Sequence, residues 1–149
     1  MELGDKLPEF TLNDQEGNSV SSSDFEGNSV VIFFYPKNFT PGCVREACSF
    51  RDSFEDFSDL GATVFGISAD SESSHKRFAK HYRLPFTLLA DTKNKVRRQF
   101  GVKKGLLGIL PGRETFIFNK EGKLVYKFAA MGADPHIKNA LTYLQKEHS

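Results

Sequence analysis

The chain has 149 residues and a formal net charge of +1, with 26% charged and 39% hydrophobic residues. A chain of this length buries roughly two-thirds of its unfolded surface on folding, enough for one hydrophobic core, so we expect a single domain over residues 1–149. The balanced charge gives no reason to expect nucleic acid or a membrane surface as a partner, and the sequence has no run of 18 apolar residues.

The apolar pattern predicts strands and helices in alternation. A continuous apolar run such as 30–34 is typical of a buried strand, and the amphipathic pattern of 43–60 is typical of a helix. The predicted strands are 10–13, 19–20, 30–34, 62–68, 87–89, 114–119 and 124–128. The predicted helices are 43–60, 73–82, 93–100 and 135–146. The first two strands and the last two each read as an antiparallel hairpin, and the alternation indicates an α/β fold whose central sheet carries helices on both faces.

Cys43 is predicted to lie in the first turn of the long helix. Thr40 can cap this helix through its hydroxyl, and Pro41 fits the first helical position because its missing N–H would be unpaired there. The unpaired N–H groups and the positive dipole end of a helix favour a thiolate. This position therefore indicates a nucleophile, in preference to the alternative that Cys43 is a small buried hydrophobic residue.

The second cysteine, Cys48, follows five residues later, and the chain has only these two. On an intact helix this step separates the Cα atoms by about 8 to 9 Å. A disulfide needs Cα atoms within about 7 Å. If the two cysteines act together, the first part of the helix must unwind, and the site has two conformations.

The pattern Pro36-x-x-x-Thr40-x-x-Cys43 matches the active-site motif of peroxiredoxins. Cys48 matches the resolving position of the bacterioferritin comigratory protein and peroxiredoxin Q branch. The resemblance runs nearly end to end and includes residues 4–12, 47–52, 66–68, 84–91 and 111–116. Phe39 and Val44 depart from the branch, which usually has a polar residue and a threonine there, so we expect them to affect the polarity of the peroxide pocket and the substrate preference.

The resemblance implies a thioredoxin-like fold that begins with the N-terminal hairpin of peroxiredoxins, and the predicted order, βαβ followed by ββα, agrees with it. It also implies a thiol peroxidase that reduces hydrogen peroxide and organic hydroperoxides. Cys43 would become a sulfenic acid, Cys48 would resolve it as an intramolecular disulfide, and thioredoxin or a glutaredoxin-like donor would reduce that bond. No metal or organic cofactor is expected.

The same resemblance assigns roles to further residues. Arg113 matches the family's catalytic arginine, which would stabilise the thiolate and the charge developing on the peroxide. Without the resemblance, Arg113 could equally be a surface arginine, and Arg45 and Arg51 on the cysteine helix are competitors. Thr40 and the helix N–H groups would hold the peroxide oxygens, while Pro36 and Pro41 would shield the sulfur from bulk water.

Other features give weaker indications. The histidines have no metal-ligand spacing, and we expect them to be solvated on helices; they are His75, His81, His136 and His148. The apolar segment 106–110 could flank the active site or pack under the sheet edge. Three other functions stay open: a disulfide reductase, which would prefer a Cys-x-x-Cys pair; a metal-delivery module, with His136 as its only candidate ligand; and a scaffold with incidental cysteines.

Two cysteines without further pairs suit a reducing compartment in which their disulfide is transient. The start of the chain does not resemble a signal or transit peptide, so we expect a cytoplasmic protein. A mature chloroplast protein without its transit peptide is the alternative. An intramolecular cysteine pair needs no second subunit, which favours a monomer.

Overall fold

The computed structural model describes residues 1–102, 113–129 and 134–148, with the side chains of 138–146 in the last helix. The strands are β1 (Thr11–Asp14), β2 (Ser19–Ser21), β3 (Ser29–Phe34), β4 (Ala62–Ser68), β5 (Thr87–Ala90), β6 (Glu114–Phe118) and β7 (Leu124–Ala129). The helices are α1 (Pro41–Asp52), α2 (Phe54–Asp59), α3 (Glu72–Tyr82), α4 (Lys95–Gln99) and α5 (Asp134–His148), with a 3-10 turn at Ser22–Phe25.

The described strands form one mixed seven-stranded sheet in the order β2-β1-β5-β4-β3-β6-β7. Strand β3 runs parallel to β4, and β4 runs parallel to β5. The hairpins β1–β2 and β6–β7 extend the two edges in antiparallel pairing. The predicted α/β class, the N-terminal hairpin and the thioredoxin-like order are confirmed.

Side chains of β3 point alternately to the two faces of the sheet, because successive residues of a strand face opposite sides. Val31 and Phe33 join a core that also contains side chains of α1, α2, α3 and α5. Ile32 and Phe34 join a second core with side chains of α4. The helices therefore cover both faces, as the alternating pattern predicted.

A stacked ring pair holds α1 on the sheet. The rings of Phe33 and Phe50 lie 4.4 Å apart and almost parallel, at an interplanar angle of 14°. Gly66, which pairs with Phe33 across β3 and β4, makes room for this arrangement. A Cβ atom at Gly66 would lie only 2.7 Å from Cζ of Phe33. The pair fixes the second half of α1 and leaves its N-terminus at the carboxyl end of β3.

The predicted helix over 43–60 is wrong in one respect, because the helix is interrupted. Ser53 has φ −101° and ψ 7°, outside the helical region, and it separates α1 from α2. Serine is a weak helix former because its hydroxyl competes for backbone groups. Most other boundaries shift by one or two residues from the predicted ones. Among the described residues, no helix is both long and apolar enough to cross a membrane.

Candidate active site

The site lies where the carboxyl end of β3 leads into the N-terminus of α1. Pro41 is the first residue of α1, so Cys43 falls in its first turn, as predicted. The Cys43 residue is 1% exposed and belongs to the core that α1 shares with the sheet. Burial and a position at a helix N-terminus therefore occur together at this sulfur. The two interpretations of Cys43, as a buried residue and as a nucleophile, do not exclude each other.

Thr40 occupies the N-cap position of α1, but its hydroxyl does not cap the helix. Its Oγ1 instead donates a hydrogen bond of 2.8 Å to the backbone oxygen of Lys37. The predicted side-chain cap is therefore wrong, since the hydroxyl proton is engaged by the loop before the helix. The bond leaves the oxygen lone pairs of Thr40 able to accept a hydrogen bond.

Arg113 lies next to Cys43, although 70 residues separate them in sequence. The register of β3 with β6 pairs Phe34 with Glu114, which brings the residue before Glu114 to the carboxyl end of β3. Arg113 is 7% exposed, and its Nη2 lies 3.5 Å from Sγ of Cys43. The alternative of a surface arginine is therefore wrong.

The competing arginines on the cysteine helix lie elsewhere. Arg45 is exposed. Arg51 donates from Nη1 to the backbone oxygen of Tyr82 at 2.8 Å and from Nε to Asp52 at 3.0 Å. The contact with Tyr82 connects the end of α1 to the end of α3. Among the three arginines, the structure records a contact with the Cys43 sulfur for Arg113.

Glu46 is a site residue that sequence reasoning missed. It is fully buried, and its Oε1 accepts a bond of 2.5 Å from Nη1 of Arg113. Burial raises the pKa of Glu46 to about 7, while the charge and the hydrogen bond of Arg113 oppose part of that rise. A signal was available in the sequence, since a glutamate three residues after Cys43 lies on the same helix face.

Arg113 stays protonated in this environment. Burial by itself lowers the pKa of Arg113, but Glu46 and Cys43 raise it, and the net shift is upward. A permanently charged guanidinium 3.5 Å from Sγ stabilises negative charge on that sulfur. With one nitrogen at Glu46 and another at Cys43, the planar group has a fixed orientation.

Cys48 and Pro36 complete the set of predicted site residues. Cys48 is half-buried, and both cysteines are free thiols on the uninterrupted helix α1. Their Cα atoms are therefore about 8 to 9 Å apart by helix geometry. Pro36 is half-buried in the loop between β3 and α1, whereas Pro41 is exposed. The structure thus brings Thr40, Cys43 and Arg113 to one end of α1 and holds the two sulfurs apart.

A buried polar network holds the loop between β3 and α1. Asn38 is 4% exposed and accepts a 2.6 Å bond from the hydroxyl of Tyr35. Its Nδ2 lies 2.9 Å from Nδ1 of His75, which is fully buried. The expectation of a solvated His75 is therefore wrong, because this face of α3 packs on β5. His81 is exposed, as expected.

Phe39 is an unusual residue in the same loop. It has a left-handed backbone with φ 64°, and its side chain is partly exposed. Such a conformation costs a residue with a Cβ atom about 1 kcal/mol or more. The ring packs edge-on against Phe78 at 5.1 Å and lies 6.2 Å from Tyr82, both on α3. Val44 packs partly buried against the core around Cys43.

The described part of the chain holds no cluster of three or more metal-ligating side chains. The side chains of His136 and His148 lie outside the described residues, and so does the segment 106–110. Residues 111 and 112 of the resemblance motif around Arg113 also lie outside it.

Residues 3–127 match the AhpC/TSA family. The chain is 54% identical over 144 residues to "Peroxiredoxin Q, chloroplastic" of Sedum lineare, covering 95% of this chain and 77% of that protein. It spans only part of the plant relatives that it matches, in one of them 66% of the length.

Solved structures agree with these relatives. The peroxidoxin BcpB of Mycobacterium tuberculosis has a TM-score of 0.89 and 38% identity, covering 98% of this chain and 97% of that one. The Xanthomonas campestris bacterioferritin comigratory protein, solved in connection with its alkyl peroxide reduction activity, has a TM-score of 0.88 and 27% identity, covering 97% of this chain and 100% of that one. The chain therefore belongs to the AhpC/TSA family, within the peroxiredoxins of the bacterioferritin comigratory protein and peroxiredoxin Q branch.

Proposed function

We propose that this protein is a thiol peroxidase that reduces hydrogen peroxide and organic hydroperoxides with Cys43. The observation that carries the proposal is the 3.5 Å contact between Nη2 of Arg113 and Sγ of Cys43 in the first turn of α1. A cysteine at a helix N-terminus beside a fixed guanidinium has the environment of a reactive thiolate. Membership in the family supports the same reaction.

In the first step, the Cys43 thiolate attacks the terminal oxygen of the peroxide. A sulfur–oxygen bond forms, the oxygen–oxygen bond breaks, and the leaving oxygen takes a proton to depart as water or an alcohol. Arg113 stabilises the charge that develops on the oxygens. Thr40, whose hydroxyl proton is engaged by Lys37, accepts a hydrogen bond from the peroxide O–H. Pro36 and Pro41 limit access of bulk water to the sulfur.

In the second step, Cys48 attacks the Cys43 sulfenic acid. A Cys43–Cys48 disulfide forms, and the sulfenic oxygen leaves as water with the proton of the Cys48 thiol. Both thiols lie on α1, about 8 to 9 Å apart at their Cα atoms, so the helix must unwind from its N-terminus first. An external dithiol, which we propose to be thioredoxin or a glutaredoxin-like protein, then reduces the disulfide by exchange.

Organic hydroperoxides are included as substrates for two reasons. The structural relative from Xanthomonas campestris is described by its alkyl peroxide reduction activity. The surroundings of Cys43 are also apolar, since Tyr35, Ala47 and Phe50 belong to the same core cluster. An apolar environment suits the alkyl part of such a substrate.

The proposal also covers the number of domains, the oligomeric state and the cellular location. We propose one domain and a monomer, because both reacting thiols lie on one helix of one chain. No metal or organic cofactor takes part in either step. The plant relatives are named as chloroplastic proteins, which favours the chloroplast alternative and gives no support to the cytoplasmic expectation.

Counting thiols after adding peroxide tests the proposal. One equivalent of hydrogen peroxide should remove both thiols of the reduced chain, without covalent dimers on a non-reducing gel. A Cys43→Ser variant should lose its remaining thiol no faster than an unfolded cysteine peptide does. Unchanged thiol numbers in the parent protein, or equal consumption of peroxide by the variant, would contradict the proposal. A disulfide reductase or a scaffold would leave peroxide unreacted, and a metal-delivery module would bind metal instead.

A further inference from the structure

The loop that carries Pro36 and Thr40 is attached to α3 and β4 through Asn38. The backbone N–H of Asn38 donates to Oδ2 of Asp70, which follows β4, at 2.9 Å. The same carboxylate oxygen accepts a 2.6 Å bond from the hydroxyl of Ser68. The Asn38 side chain also donates to Oγ of Ser74 on α3 at 3.1 Å. The substrate-binding loop is therefore positioned from outside the cysteine helix.

His75 is the deepest member of this network, and its partners define its proton. Nε2 of His75 lies 3.1 Å from the backbone oxygen of Leu89. A carbonyl oxygen only accepts, so Nε2 carries the proton, and Nδ1 of the neutral ring accepts from Nδ2 of Asn38. The amide oxygen of Asn38 then faces the Tyr35 hydroxyl, which donates to it at 2.6 Å. Each donor in this series of hydrogen bonds, from Tyr35 through Asn38 and His75 to Leu89, therefore faces an acceptor.

This arrangement of donors and acceptors requires His75 to be neutral. A second proton on His75 would sit on Nδ1 and face the donor Nδ2 of Asn38. Burial lowers the pKa of His75, although the charge of Asp70 and hydrogen bonds to the backbone of Leu89 and Ser68 oppose part of this shift, so the neutral ring is favoured. The titratable groups that face the ring are Tyr35, at the end of β3, and Asp70. Burial holds the pKa of Tyr35 well above its usual value, so its hydroxyl remains a donor.

We propose that His75 and Asn38 are positioning residues for the peroxide reaction. Neutral His75 fixes the Asn38 side chain, and Asn38 fixes the loop that presents Thr40 to the peroxide at Cys43. Neither residue touches the substrate. The proposal rests on the proposed peroxidase activity and concerns the first step only, because the network does not involve the helix that unwinds in the second.

The test uses Asn38→Ala, which removes the amide, and His75→Phe, which keeps a ring and removes both nitrogens. Lys80→Ala, an exposed residue on the same helix, is the control. The second-order rate of the reduced protein with hydrogen peroxide should fall about tenfold or more in both variants, since small misplacements of reacting groups have large effects. The rate of disulfide formation at saturating peroxide should stay within about twofold of the parent, because the second step depends on α1.

Nitrogen NMR of the imidazole gives an independent readout. The parent protein at pH 7 should show a neutral His75 with its proton on Nε2. An Asn38→Asp variant should raise the pH at which this ring titrates, because a carboxylate would face Nδ1. If His75→Phe does not fold, Asn38→Ala and Tyr35→Phe carry the kinetic test.

The proposal would be overturned by a folded Asn38→Ala variant with the parent's rate toward peroxide, or by a His75 ring protonated on Nδ1. Equal loss of both steps, together with a lower unfolding midpoint, would also overturn it, since that is the effect of general destabilisation. Failure of the peroxidase function itself is a different result, in which the parent protein loses no thiols with peroxide.

Discussion

A Cβ atom on Gly42 would lie 3.0 Å from Nη2 of Arg113. The guanidinium therefore packs against the backbone of the residue that precedes Cys43. This approach is available to glycine and is too tight for any other residue unless the arginine moves. The same Nη2 lies 3.5 Å from Sγ of Cys43, and Nη1 donates to Oε1 of Glu46. Gly42 thus takes part in placing the positive charge at the sulfur.

Gly42→Ala should separate stability from activity. Alanine is favoured over glycine by about 0.5 to 1 kcal/mol in a helix interior, and this gain is offset at position 42 by crowding of the buried Arg113, so the stability of the reduced protein should change little. The added methyl group should displace Arg113 and slow the reaction with peroxide several-fold. Stopped-flow kinetics and thermal unfolding on the same samples check both effects. An unchanged rate would show that Arg113 adjusts without loss of function.

Arg113→Lys should slow the peroxide reaction although the charge remains. A lysine ammonium cannot face Glu46 and Cys43 with the planar fork of arginine. We expect a smaller effect than the roughly 10²–10³-fold that follows removal of a transition-state hydrogen-bond donor outright. Arg51→Lys on the cysteine helix is the matched control and should react as the parent does. Equal rates for Arg113→Lys and the parent would show that the positive charge suffices without the planar fork of arginine.

Cys48→Ser should give a single turnover in the absence of added thiols. Without the second sulfur, the Cys43 sulfenic acid persists and advances to sulfinic acid when more peroxide is present. Mass spectrometry after one equivalent of peroxide should find one added oxygen on Cys43, and two after an excess. Finding no added oxygen on Cys43 would mean that another group reacts first.

Glu46→Gln should change the pH dependence of stability in the reduced protein. Burial raises the pKa of Glu46 from 4.5 to about 7, so the folded protein binds a proton at this site that the unfolded chain has released. Stability from this group is present below pH 4.5 and is lost as the pH rises toward 7. The free energy of unfolding of the parent minus that of the variant should therefore decrease across this window. Denaturant unfolding at several pH values measures it, and a flat difference would contradict the raised pKa.

Oxidation should unwind the start of α1. Because the two Cα atoms lie about 8 to 9 Å apart on the intact helix, a disulfide requires the first one or two turns after Pro41 to open. The oxidised protein should lose helical circular dichroism and amide protection between Phe39 and Arg51. Hydrogen exchange on fully reduced and fully oxidised samples is the direct measurement. Unchanged protection from Val44 to Arg51 with a confirmed Cys43–Cys48 bond would rule out this motion.

Local sequence signals were enough for the scaffold and for the first turn of α1. The apolar run of β3 and the Thr-Pro-Gly turn before Cys43 depend on neighbouring residues, and both predictions are confirmed. The spacing of Glu46 from Cys43 indicated their common helix face, but the burial of Glu46 and of His75 was not predictable from neighbouring residues. Glu46 is buried because Arg113, 67 residues later, meets it, and His75 because Leu89 lies beneath it on β5. The hydroxyl of Thr40 was misassigned because a turn carbonyl competes with the helix for it.

The stacked rings of Phe33 and Phe50 have a consequence for how the protein tolerates repeated redox cycles. They hold the second half of α1 on the sheet, so opening of its first one or two turns distorts one corner of the molecule while the sheet keeps its packing. The melting temperature and the rate of disulfide formation then depend on different parts of the chain. Substitutions that strengthen the sheet can raise the melting temperature without slowing disulfide formation, whereas changes at exposed positions of the first turns of α1, such as Pro41 and Arg45, alter the speed and leave the melting temperature nearly constant.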